Sequence, residues 1–142
     1  MDTNVLLISL PSRSPYHEII VAFSERRYKL VVTTAVLLEY EEILTEKASQ
    51  VIAENVLAAF REAPNLVEVD IYFHWNMIPA DPDDNKFTDA YINGNADYLV
   101  TNDAHFNTAK SSKFPEVKIL SVDEFLHLLQ EGRTIHNPTQ KF

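Results

Sequence analysis

Apolar and polar positions alternate along the chain in blocks that read as helices and strands in turn. Val5, Leu6, Leu7, Ile8 and Leu10, closed by Pro11, form a run expected to be buried whichever conformation it adopts. From Pro15 to Arg27, Ile19, Ile20, Ala22 and Phe23 recur at helical spacing, with Ser14 as the expected N-cap and Pro15 at the first helical position. The β-rich run Lys29 to Thr33 reads as a strand, and Thr34 as the cap of the helix after it. In that helix Val36, Leu37, Tyr40, Ile43 and Leu44 share a stripe; Glu39 and Glu41 flank it and Glu42 faces away. A further helix covers about Ser49 to Glu62, with Ile52, Val56, Leu57 and Phe60 inward, and Leu66 to Ile71 reads as a strand. An aromatic loop, Tyr72 to Pro79, leads to a helix starting near Asp84 and ending before Gly94. Tyr98 to Thr101 and Val117 to Leu120 are strands, and Ser121 caps a last helix, Val122 to Gln130. Residues 131 to 142 read as a polar tail, either loose or held by a partner.

Strands alternating with helices predict an α/β fold with a mostly parallel sheet covered on both faces. The chain shows no repeat, low-complexity segment or second domain, so residues 1–130 form the expected domain. Its 46% hydrophobic content supports an ordinary core. A net charge of -9 is the wrong sign for holding nucleic acid by bulk electrostatics, so such a substrate would have to be held locally. No run is long enough to span a membrane and no basic n-region opens the chain, which gives a cytoplasmic expectation.

The chemistry left open is that of oxygen ligands. There is no cysteine, and two glycines leave no Gly-rich phosphate cradle. His17, His74, His105, His127 and His136 lack zinc-site spacing. Asp2, one of Glu39 or Glu41, Asp84 and Asp103 each fall near a strand end or a first helical turn, where ligands gather in open α/β sheets. Carboxylates without sulfur or imidazole suit Mg²⁺ or Mn²⁺. Singly, each is an ordinary cap or turn residue; a converging group would be costly without a cation. Helical spacing turns Asp84 inward, in line with Phe87 and Tyr91, and Asp89 outward.

Four segments carry a resemblance: Asp2-Thr3-Asn4, Leu37 to Leu44 (LLEYEEIL), Asp81 to Phe87 (DPDDNKF) and Ala96 to Asp103 (ADYLVTND). Together, and in this order, they resemble the PIN-domain family, most closely its VapC-like branch of toxin ribonucleases. The resemblance runs from Asp2 to Leu129. It implies an α/β/α sandwich and a metal-dependent nuclease in which Asp2, Glu39, Asp84 and Asp103 gather one or two Mg²⁺ or Mn²⁺ ions, so that Glu39 is preferred to Glu41. Asn4 and Thr101 would orient ligands, with Asp89 a lesser candidate. An inhibitory antitoxin partner and a homodimer are also implied. The chain departs from the family pattern at its start: members carry an apolar central strand ahead of D-T-N, whereas here Met1 alone precedes it, so the first strand is expected to be short or missing. The free α-amino group would then lie beside Asp2 and compete with a metal.

The leading expectation is a metal-dependent endoribonuclease, with Arg13, Arg26, Arg27 and Lys29 as the best local cations for the RNA backbone. Its rival is a non-catalytic PIN-like binding or regulatory module whose metal site is disabled at the N-terminus. A Mg²⁺-dependent phosphatase ranks last, because Asp2-Thr3-Asn4 does not supply D-x-D-x-T.

Overall fold

A computed structural model describes residues 1–71, 74–75, 85–111, 115–132 and 140–142. Asp84 and most of the aromatic loop therefore lie outside the described residues. In chain order the elements are α1 (Thr3–Ser9), α2 (Glu18–Ser24), β1 (Leu30–Val32), α3 (Thr34–Lys47), α4 (Gln50–Glu62), β2 (Leu66–Glu68), α5 (Asn85–Asn93), β3 (Leu99–Val100), a 3₁₀ turn (Ala104–Phe106), α6 (Asn107–Lys110), β4 (Ile119–Leu120) and α7 (Val122–Glu131).

The strands form two small parallel sheets flanked by helices, the mixed α/β architecture that the block pattern predicts. β1 pairs with β2 in the register Leu30↔Leu66, and β3 pairs with β4 in the register Leu99↔Ile119. Each needs a crossover connection, and helices supply it. α3 packs against α1, α4 and α5, while α2 packs against α7. The β1 residues and Leu99 and Val100 of β3 are buried, as expected of strands covered on both sides.

The two sheets are joined by residues that the hydropathy pattern assigned to a polar tail. Lys29 and Val31 donate backbone hydrogen bonds to the Gln140 and Phe142 carbonyls (both 2.9 Å), and Phe142 N donates to Lys29 O (2.8 Å). On the other side Asp97 N donates to Lys141 O (3.0 Å), and Lys141 N donates to the Asp97 carboxylate (2.8 Å). The Phe142 ring is buried against Phe125 (centroids 4.5 Å apart), Tyr28 (5.4 Å) and Tyr98 (5.7 Å). A polar composition concealed this because, among the described residues of the tail, a single aromatic at the end supplies the apolar anchor.

Several local boundaries shift for identifiable reasons. The first apolar run folds as α1, so it is not uniformly buried: Val5 and Leu6 are in the core and Ile8 is 39% exposed. Pro15 lies in a turn and helix α2 starts only at Glu18; Ser14 Oγ caps no helix, accepting instead from Tyr16 N at 3.1 Å. Thr33, not Thr34, caps α3, accepting from Val36 N. In α4 it is Ala53, Leu57 and Phe60 that are buried, with Ile52 exposed. Ser121 caps α7 as expected, in a capping box with Glu124.

Gly94 follows α5, but the left-handed residue there is Asn95 (φ 49°). Gly94 is required by proximity: a Cβ would lie 2.3 Å from Val31 Cγ1 and 2.8 Å from Ala90 O. Gly94→Ala is expected to destabilise the fold by about 1–3 kcal/mol, measured by urea unfolding, as overpacking pushes α5 from β1.

Candidate active site

The site grows from where chain segments end. β3 delivers Thr101, Asn102 and Asp103 at its carboxyl end, and Asp2 lies alongside, its N–H donating to Val100 O at 2.9 Å. Thr101 is buried and joins the two acids: its hydroxyl donates to Asp2 Oδ2 (2.8 Å) and accepts from Asp103 N (3.0 Å). The Asn102 side chain turns away to accept from Val122 N (2.9 Å), tying the loop to α7. Asp103 in turn accepts from His105 N (2.9 Å), capping the 3₁₀ turn.

Asp2 and Asp103 open into one cleft of about 320 Å³, completed by Asn4, Val5, Ile8 and Asn102. One wall is acid and amide and the other aliphatic. Burial raises the Asp2 carboxyl above its ordinary pKa of 3.8, outweighing the Thr101 hydrogen bond and the nearby amino terminus; the Glu39 charge adds to the rise. Met1 is buried, and desolvation lowers its α-amino group to about 6, against the pull of Asp2.

Glu39 is half-buried on the side of α3 facing this corner, and Glu41 is exposed. Thr3 Oγ1 donates to Glu39 Oε2, and Lys86 Nζ lies 3.1 Å from Oε1. Tyr40, one residue on, donates its hydroxyl to the Met1 carbonyl, fixing the segment that carries Asp2. Spacing alone gave no role at the site to Thr3 or Lys86, and gave Tyr40 only a place on the buried stripe of α3. The available signal was Lys86, the single cation within the acidic stretch Asp81 to Phe87.

Asp89 is a correction: it is buried, not outward. Trp75 N donates to its Oδ1 (2.9 Å) and His74 Nδ1 lies 3.2 Å from Oδ2. The chain at 74–75 covers the flank of α5 that periodicity left to solvent, so the helix buries Asn85, Phe87, Thr88, Asp89 and Ala90 together. Asp89 thus anchors a connection, and Asn4 is exposed at the cleft.

The four basic candidates do not line this cleft. Arg26 and Lys29 precede β1 and so lie by the amino ends of the parallel strands, away from the carboxyl end that bears Asp103. Arg27 is spent on Glu18 (2.8 Å), Glu25 (3.2 Å) and the Leu129 carbonyl (3.2 Å). Arg13 is exposed in the turn after α1.

The donors at this corner are oxygens, the ligand type that a hard divalent cation takes. Among the described residues, no three or more Asp, Glu or His side chains are grouped closely enough to hold a metal ion. Asp84, the remaining candidate, is not among them.

A parallel α/β domain with an acidic cleft where its strands end is the class that fold and site define. A family profile for the PIN domain matches residues 1–105, and the chain belongs to that family. No curated protein and no solved structure matches it at a significant level. Among the described residues no helix is long and apolar enough to cross a membrane.

Proposed function

We propose that the Asp2–Asp103 cleft is the RNA-processing site of this PIN domain, and that it hydrolyses phosphodiester bonds as a Mg²⁺- or Mn²⁺-dependent endoribonuclease. The observation that carries this reading is that Asp2 and Asp103 line one open cleft, with Thr101 bonded to the Asp2 carboxylate and to the Asp103 backbone amide. Asp2 and Asp103, with Glu39 and Asp84, would hold the ion. When bound, it would activate water and neutralise charge on the phosphate. Thr101 would fix the orientation of Asp2, Asn4 would meet substrate at the rim, and Val5 and Ile8 would offer an apolar wall to a base. A VapC-like toxin role, an antitoxin partner, a homodimer and a cytoplasmic location belong to the same proposal.

A second reading is a non-catalytic PIN module that binds RNA or protein. Two observations favour it: both Glu39 oxygens are engaged by Thr3 and Lys86, and the described residues gather no full set of metal ligands. Taken by itself, the described geometry stands closer to this second reading; family membership and the paired acids argue for the first. Labelled single-stranded RNA incubated with Mn²⁺ or with chelator separates them, since only the nuclease cuts, and only with metal.

Lys86 gives a second test. If its ammonium holds the cation's place at Glu39, Lys86→Met should increase the stabilisation gained from Mn²⁺, with each tenfold gain in affinity adding about 1.4 kcal/mol at saturating metal. The comparison is the Mn²⁺-induced rise in Tm for variant and wild type. An unchanged rise would place the ion away from Glu39.

A further inference from the structure

We propose that Gln140–Phe142 and Met1–Asp2 are two pieces of one central strand, so that the end of the chain positions the acid at its beginning. The hydrogen bonds alternate as in an unbroken parallel strand. Gln140 and Phe142 bond toward β1, Lys141 bonds toward the approach to β3, and Asp2 bonds to Val100 of β3. Tyr98 N reaches Lys141 O at 3.4 Å, and Asp2 N donates to the carbonyl of Val100, two residues further along. In a parallel ladder that spacing makes Asp2 the fourth position after Lys141, which sets Met1 two ladder positions beyond Phe142. The side chains agree, since both Met1 and Phe142 are buried in the same core.

The segment closes the gap between the two sheets. Without it β1 and β3 would each present a row of unpaired backbone groups in the protein interior. Asp2 would keep its Thr101 and Val100 contacts but lose the strand that brings Met1 and Asp2 into line. Phe142 is therefore a positioning residue for Asp2. This inference stands whether or not the site cuts RNA.

The test compares the full chain with a variant lacking Gln140–Phe142 and with two rescue variants of that deletion. These carry Gln-Lys-Phe ahead of Met1, joined by one spacer residue or by two. The deletion is expected to lower Tm and to speed amide exchange at Asp2 by at least about tenfold where it remains folded. The one-residue spacer should restore both. The two-residue spacer should not, because a one-position slip turns every side chain to the opposite face. A deletion that melts with the wild type, rescue by both spacers alike, or rescue by neither would overturn the proposal.

Discussion

Asp2→Asn is expected to melt above the wild type at neutral pH while losing at least about 10-fold of Mn²⁺-dependent RNA cleavage, because loss of a direct ligand should cost no less than loss of a residue that merely supports one. The two effects share a cause. Burial raises the Asp2 carboxyl above 3.8, so the folded state binds its proton more tightly than the unfolded chain does. Wild-type stability from this group is therefore fully present below the unfolded value and is lost as pH rises through the raised folded one. Asparagine keeps the shape and can still accept the Thr101 hydrogen bond, but it carries no charge to desolvate. The variant's advantage should be absent in acid and grow toward neutrality. Thermal melts across pH check the sign, and an advantage constant with pH would show that Asp2 ionisation is not its source.

Phe125→Ala should produce the largest loss of stability. Its ring is fully buried and meets Tyr28 edge-on at 5.2 Å and Phe142 at 4.5 Å. Truncating such a residue costs about 3–5 kcal/mol in transfer and cavity terms. In a chain of this size that corresponds to a fall in Tm of roughly 10 °C or more. The loss should exceed that of Val56→Ala, which removes a half-buried side chain from α4. Comparable losses would mean that the aromatic cluster is not the hub joining α7, β1 and the C-terminal segment.

What could be read from the sequence was whatever depends on near neighbours. Ser121 with Glu124 is a complete local signal, and α7 begins where it says. The parallel α/β class followed from apolar runs too short for helices lying between helical stripes. Asp103 at the end of β3 followed from its place after a buried run.

Other features depended on distant partners. Asp89 looked solvent-facing because periodicity describes one helix and says nothing of Trp75 and His74 covering its other side. Glu39 and Glu41 flank the stripe equally, and what sets them apart is that Glu39 meets Thr3 and Lys86, 36 and 47 residues away in the chain. The role of Gln140–Phe142 was hidden for the same reason: its partners are Lys29, Val31 and Asp97, and nothing in a polar tripeptide ending in Phe announces a central strand. The basic cluster depends on strand direction. Arg26, Arg27 and Lys29 are close together in sequence, but the direction of β1 sets them by the opposite strand ends from Asp103.

The central claim is that the paired acids of the cleft perform metal-dependent RNA cleavage. Its most direct test is the initial rate of cleavage of labelled single-stranded RNA in Mn²⁺ by the wild type and by Asp103→Asn, with a chelator control. The account predicts cutting by the wild type that stops with chelator and falls at least about 10-fold in the variant. No cutting by the wild type, or equal rates in wild type and variant, would contradict it and leave the non-catalytic PIN module standing.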